Sequence, residues 1–219
     1  QVLVDSIFPA LLERTAPDAE IRIWNPGCAT GQETYSLGIC LLEALAAHGR
    51  TATIKLFGSD LSDRAIETAR AGLYSEAELD GVSSERRARF FDRVDGRYRI
   101  SRQVRDQCVF VRHDLTRDPP FAKLDLISCR NVLIYFDDEL QHRVVPMLHY
   151  CLNPQGYLFL GQSETIAGYR DLFAPVDEGG GDLVEGCHAV SVPAPKRFPR
   201  QIWSLERPDS YRVRMRVTR

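Results

Sequence analysis

Along most of this chain, short runs of apolar residues alternate with segments in which apolar side chains repeat every three or four residues. Apolar runs that predict buried strands lie at residues 21–25, 53–58, 108–111, 124–129 and 156–160. Helices are predicted over residues 3–14, 32–47, 63–71 and 137–151. The evidence is either a repeat of apolar side chains at helical spacing or residues that typically begin a helix. This order predicts an α/β fold, with a doubly wound, mostly parallel sheet and helices on both of its faces.

One segment departs from this rhythm. Residues 73–107 contain a short predicted helix at 85–91, a turn at Asp95-Gly96 and the strand-like run Tyr98–Ile100. They predict a small inserted subdomain built from a helix and a β-hairpin.

The character of the chain changes near residue 175, so we predict a main domain over 1–175 and a second segment over 176–219. The second segment holds a glycine run at 179–181 and one or two predicted edge strands within 183–192. From residue 196 to 219, eight Lys or Arg stand against Glu206 and Asp209. We expect this basic tail to be extended or poorly ordered.

Composition limits the classes of function. With 44% hydrophobic residues and a net charge of −2, the 219 residues can form a substantial core and carry no general attraction to nucleic acid or membranes. No apolar run is long enough to span a bilayer, so no direct membrane insertion is expected. The first residues lack the basic region of a signal peptide, and the missing initial Met suggests a chain that begins inside a longer protein.

Six cysteines occur without any C-x-x-C pair. Several lie in apolar runs, which predicts buried thiols in a reduced cytoplasm and neither disulfides nor a metal site. The predicted location is therefore cytoplasmic.

The segment Asn25–Glu33 is the first candidate site. A strand runs into a turn of small residues, and the turn opens a helix with an acidic residue at its start, as in loops that bind nucleoside cofactors. The spacing matches neither G-x-G-x-x-G nor G-K-[ST], which favours a nucleoside carrying an amino-acid group over a dinucleotide or a triphosphate. The alternative is a tight strand-to-helix turn without a ligand.

Three further strand ends carry polar residues, where a doubly wound sheet binds its ligands. Asp60 can accept both hydroxyls of a ribose, or it caps the next helix. Asp114, beside the apolar Leu115, can accept an adenine amino group, or it starts a turn. Asn131 can bind a charged amino-acid moiety, or it satisfies loop backbone.

A family resemblance rests on five segments: IWNPGCATGQETYS, GSDLSDRAIETARAGLY, HDL, DLISCRNVLIYFD and LNPQGYLFLGQSE. Over about residues 5–176, the chain resembles the catalytic domain of the CheR-type chemotaxis receptor methyltransferases. These enzymes use S-adenosylmethionine (SAM) to methylate glutamate side chains of chemoreceptors. The resemblance implies a Rossmann-like, class I SAM-dependent methyltransferase fold and no metal cofactor.

The resemblance also implies roles for single residues. The methionine end of the cofactor would be received by Ala29, Thr30, Gly31 and Glu33 and lie along Asn131 and Val132. Asp60 would hold the ribose, and Asp114 with Leu115 the adenine. Tyr135 would stand near the transferring methyl group, so Tyr135 and Asn131 are the catalytic candidates.

The implied reaction is an in-line displacement by a glutamate carboxylate, which needs no strong general base because it is already ionised at neutral pH. The family also has an upstream segment with a Thr and an Arg near the active site, and the printed sequence begins after it. We therefore expect the 219 residues of this sequence to bind cofactor but to methylate poorly. The alternative is a catalytically silent module that binds SAM or S-adenosylhomocysteine (SAH).

The inserted segment suggests a partner surface. Eight arginines lie between residues 86 and 105, against Asp92 and Asp95. Arg97, Arg99 and Arg102 are the predicted contacts to an acidic cytoplasmic helix of a chemoreceptor or a related signalling protein. The alternative is a solvated surface. Nucleic acid is not an expected partner, because no reader motif or exposed aromatic pattern accompanies the arginines.

Overall fold

The computed structural model describes residues 1–164, 166–176 and 187–193. Its strands are β1 (Glu20–Pro26), β2 (Thr53–Asp60), β3 (Leu73–Tyr74), β4 (Phe91–Val94), β5 (Arg97–Ile100), β6 (Cys108–Arg112), β7 (Leu124–Cys129), β8 (Leu152–Gly161), β9 (Ala174–Pro175) and β10 (Cys187–Ser191). Its α-helices are α1 (Phe8–Arg14), α2 (Gln32–Ala47), α3 (Asp63–Ala71), α4 (Ser84–Phe90), α5 (Arg102–Arg105) and α6 (Asp138–Cys151). A π-helical turn, Leu3–Ile7, leads into α1, and 3-10 turns lie at Ala77–Leu79, Leu133–Tyr135 and Ala167–Tyr169.

Seven strands form the main sheet, in the order β6-β2-β1-β7-β8-β10-β9. The five strands from β6 to β8 pair in parallel, whereas β10 is antiparallel to both β8 and β9. From β1 the chain proceeds outward through β2 to β6 and then returns to β7 on the other side of β1. The strand order therefore reverses between β1 and β7, which places a ligand crevice at the carboxyl ends of these strands.

Helices cover both faces of this sheet because consecutive strand residues point to opposite sides. Ile23 of β1 packs in one cluster with side chains of α1 and α2. Its neighbour Trp24 packs in a second cluster with Val145 and Leu148 of α6. The predicted doubly wound α/β architecture is confirmed.

The segment between α3 and β6 forms a second, three-stranded sheet in the order β3-β5-β4. Phe90, Ile100 and Val104 bury their side chains in one cluster with Tyr35 of α2 and Ile66 of α3. The predicted inserted helix and hairpin are confirmed. The sequence pattern gave no indication of β3 or α5.

The C-terminal predictions are only partly covered by the described residues. Strand β10 falls within the predicted 183–192 stretch and is flanked by β8 and the two-residue β9. The glycine run and the basic tail lie outside the described residues, and the division at residue 175 stays a prediction. Among the described helices, none has the length and apolar character needed to cross a bilayer.

Candidate functional site

The loop from β1 to α2 is held in a conformation that glycine favours. Gly27 and Gly31 have φ angles of 68° and 91°, and Ala29 between them has a φ of 46°. A Cβ atom on Gly27 would stand 2.5 Å from Cγ2 of Val132, in the loop after β7. The two predicted cofactor loops therefore pack directly against each other, and their closeness requires glycine at position 27.

Asp60 ends β2 and joins the first loop to the third helix. Its Oδ2 accepts a hydrogen bond from the backbone N–H of Ala29, and its Oδ1 accepts one from that of Ser62, both at 2.9 Å. The cap of α3 is Ser62, whose Oγ accepts from the Ala65 N–H. The helix-capping alternative for Asp60 is thus wrong, and its carboxylate keeps acceptor positions for a ligand, since two oxygens offer about four.

Asp114 follows β6 and opens a turn. Its Oδ1 accepts hydrogen bonds from the hydroxyl and the backbone N–H of Thr116, at 2.7 and 2.9 Å. These bonds to the ionised form lower the pKa of Asp114. The turn that the alternative interpretation assigns to Asp114 is therefore present. Oδ2 lies 3.8 Å from the Arg117 guanidinium, and the adenine role stays a prediction.

Glu33, in the first turn of α2, belongs to a polar cluster with the end of β7. Its Oε1 accepts hydrogen bonds from the Ser128 hydroxyl at 2.6 Å and from the Asn25 amide at 3.2 Å. Its Oε2 lies 3.6 Å from the Arg130 guanidinium. Burial raises the pKa of Glu33, while Ser128 and Arg130 oppose that shift. A carboxylate here can receive a cationic amino group.

The loop after β7 carries the two catalytic candidates. Asn131 has a φ of 56°, and Tyr135, which ends a 3-10 turn, is 79% exposed. The structure thus places Tyr135 at the surface, and its role near the transferring methyl group stays a prediction.

Glu164 also reaches this loop, and sequence reasoning did not select it. Glu164 is 3% exposed, and its carboxylate accepts hydrogen bonds from the backbone N–H groups of Asn131, Val132 and Leu133. The available indication was an acidic residue shortly after the buried strand β8.

The inserted subdomain contacts the cofactor loop. The Tyr74 hydroxyl of β3 donates to the Thr30 carbonyl at 2.8 Å. Thr30 is therefore anchored through its backbone, while its hydroxyl donates to the Gln32 side chain.

The arginines of the insertion serve different purposes. Arg86 forms an ion pair with Glu43 at 2.6 Å, and Arg87 donates to backbone carbonyls. Arg97 donates to the Leu73 carbonyl at 2.9 Å. Arg99 is half-buried and Arg102 is exposed. Part of the predicted basic surface is thus used within the fold, and partner binding by the rest stays a prediction.

Three cysteines, of which only Cys28 lies in the first cofactor loop, lack reactive character. Burial raises the pKa of Cys28, Cys108 and Cys151 to about 12, so these side chains remain thiols at neutral pH. Over the described residues, no cluster of His, Cys, Asp and Glu could hold a metal ion.

Comparison with known proteins gives a consistent set of relatives. The family model described as "CheR methyltransferase, SAM binding domain" matches residues 1–179. An uncharacterized 104.1 kDa protein from Rhodobacter capsulatus is 39% identical over 78% of this chain and 18% of its own length. Chemotaxis protein methyltransferases from Vibrio parahaemolyticus and Vibrio cholerae are 36% and 35% identical, each over 80% of this chain. The chain spans 64% of the length of each of these two methyltransferases.

Proposed function

This chain belongs to the CheR methyltransferase family, as a SAM-binding domain, and we propose that it methylates glutamate carboxylates of chemoreceptors in a chemotaxis-type signalling system. The observation that carries the proposal is the crevice between β1 and β7. There the Gly27–Gly31 loop, Asp60 and the Asn131–Val132 loop converge through direct contacts.

The residues present fit SAM. Asp60 has acceptor positions left for ribose hydroxyls after binding Ala29 and Ser62. Glu33 offers a half-buried carboxylate to the amino group of the methionine moiety. Leu115 supplies an apolar wall and Asp114 an acceptor for the adenine, while Val132 lies against the glycine of the first loop.

When bound, SAM supplies a methyl group on a positively charged sulfur. The chain itself needs to provide alignment and exclusion of water, because the attacking glutamate has an ordinary pKa of about 4.3 and is ionised at pH 7. In this proposal Asn131 orients the methionine moiety, and the exposed Tyr135 contacts the incoming carboxylate. The acceptor oxygen gains the methyl group, and the sulfur leaves as the neutral thioether of SAH.

The test combines binding and turnover. Calorimetry should detect SAH binding to the purified chain, and labelled methyl groups should then appear on receptor-containing membranes. Receptors whose methylation-site glutamates are replaced by alanine serve as the matched control. Binding without transfer to any receptor would favour a silent cofactor-binding module, and absence of binding would exclude both functions.

A further inference from the structure

We propose that Glu164 is a positioning residue of the cofactor site. Its buried carboxylate fixes the backbone of Asn131, Val132 and Leu133 and thereby sets where Asn131 and Val132 stand against the cofactor. The inference rests on the proposed function, in that it takes the crevice to be the SAM site.

The carboxylate is surrounded by backbone donors from two elements. Oε2 accepts from the N–H groups of Gly161 at 2.8 Å and Asn131 at 2.9 Å. Oε1 accepts from the N–H groups of Val132 and Leu133, both at 2.8 Å. These four bonds join the end of β8 to three consecutive residues of the loop after β7.

Such an arrangement suits a charged group. A buried carboxylate is costly unless it is fully hydrogen-bonded, and bonds to an ionised acceptor are roughly twice as strong as neutral ones. Three successive N–H groups face the two oxygens of one carboxylate, and Asn131, the first of the three residues, adopts the left-handed conformation with a φ of 56°. The loop therefore forms an anion-binding concavity that the chain fills with its own side chain.

The end of β8 is adapted to this contact. A Cβ atom on Gly161 would stand 2.9 Å from Oε2 of Glu164 and 3.4 Å from the Asn131 nitrogen. Glycine at this position lets the carboxylate and the loop approach the strand. The same loop presses Val132 against Gly27, so a shift of its backbone would reach the first cofactor loop as well.

The experiment compares Glu164→Gln with Asp125→Asn. Asp125, at the other end of β7, also fastens neighbouring elements: it accepts from the Arg22 N–H at 2.9 Å and from the Asn153 amide at 2.8 Å. Both variants replace a carboxylate that accepts hydrogen bonds with an isosteric amide, and only one of them touches the loop. Calorimetry with SAH, melting temperature and amide hydrogen exchange are measured for each.

We expect Glu164→Gln to raise the Kd for SAH at least tenfold and to speed exchange of the Asn131 and Val132 amides. Asp125→Asn should lower the melting temperature and leave the Kd within twofold of wild type. Equal Kd values for Glu164→Gln and wild type would overturn the positioning role. If Glu164→Gln does not fold, Glu164→Asp, which keeps the charge on a shorter side chain, replaces it under the same criterion.

Failure of both Glu164 variants to fold would also overturn the inference, since the residue would then serve the fold alone. Two failures can be told apart. If the wild-type chain does not bind SAH, the proposed function is excluded. If the wild type and Glu164→Gln bind SAH equally well, the proposed function stands and the positioning role is excluded.

Discussion

Asp60 joins two parts of the site through one side chain, since each of its oxygens holds a backbone N–H group. We predict that Asp60→Ala weakens SAH binding at least tenfold. A hydrogen bond to a charged group contributes about 1.5–3 kcal/mol, and about 1.4 kcal/mol corresponds to a factor of ten in affinity. The first loop also loses its tie at Ala29, which adds to the effect. Calorimetry with SAH provides the measurement.

The matched control is Asp63→Ala. Asp63 is an exposed carboxylate in the first turn of α3, 3.4 Å from the Arg112 guanidinium. Its removal should leave the Kd for SAH unchanged. Equal affinity in both variants would show that Asp60 has no part in cofactor binding.

Asp114 allows a prediction about pH. Because Thr116 lowers the pKa of Asp114, this carboxylate adds stability above its ordinary pKa, and the contribution is lost as pH falls through the lowered value. Thr116→Val removes the hydroxyl donor and keeps the backbone N–H. The pKa of Asp114 should then rise toward its ordinary value, so the contribution becomes smaller and its loss is complete at a higher pH.

NMR titration of the Asp114 carboxyl measures this shift. Thr68→Val is the control, because the Thr68 hydroxyl donates to a backbone carbonyl within α3. An unchanged pKa of Asp114 in Thr116→Val would contradict the assigned cause.

At the scale of elements, the contact between the two cofactor loops depends on Gly27. Both Gly27 and Gly49 have left-handed φ angles, 68° and 59°, so alanine at either position costs about 1–2 kcal/mol in backbone energy. Only at Gly27 would the added methyl group meet another loop, 2.5 Å from Val132, whereas nothing lies within 4 Å at Gly49.

We predict that Gly27→Ala lowers the free energy of unfolding more than Gly49→Ala does and weakens SAH binding, which Gly49→Ala leaves intact. Chemical denaturation and calorimetry measure the two effects. If the free energy of unfolding falls equally in both variants, the contact between Gly27 and Val132 does not contribute to stability.

At the scale of the whole molecule, the insertion meets the cofactor loop through Tyr74, whereas its residues Arg99 and Arg102 are not among those assigned to the crevice and can be tested independently of it. Reversing Arg99 and Arg102 to Glu should raise the KM for a receptor substrate and leave the Kd for SAH unchanged. The effect should shrink with added salt, since exposed charges are screened over about 8 Å at physiological ionic strength. Arg97 is omitted because it also donates to the Leu73 carbonyl.

The control reverses Arg143 and Arg170, two exposed arginines outside the insertion, and makes the same change in net charge. Steady-state kinetics at two salt concentrations separate local from general effects. The same KM increase in both double variants would indicate a general charge effect, and no increase in either would leave the insertion arginines as a solvated surface.

The sequence by itself determined the elements and the residue types at the strand ends. Helix α3 begins and ends where the pattern predicts, at residues 63 and 71, and β7 occupies the predicted 124–129. These features are local, because hydrophobic periodicity and helix-start residues act over a few positions. The five segments that carry the resemblance also identified the family and its cofactor.

Only the tertiary structure decided how the side chains of the site are used. Asp60 holds Ala29, 31 residues away, and Glu164 holds Asn131, 33 residues away. Strand β3 likewise exists because two residues find a partner in β5. Such contacts depend on which elements the fold brings together, and buried backbone N–H groups must then find acceptors wherever they end up. No local pattern records that choice: Glu164 ends one of the five segments that carry the resemblance, but its bonds to the loop after β7 follow only from the tertiary structure.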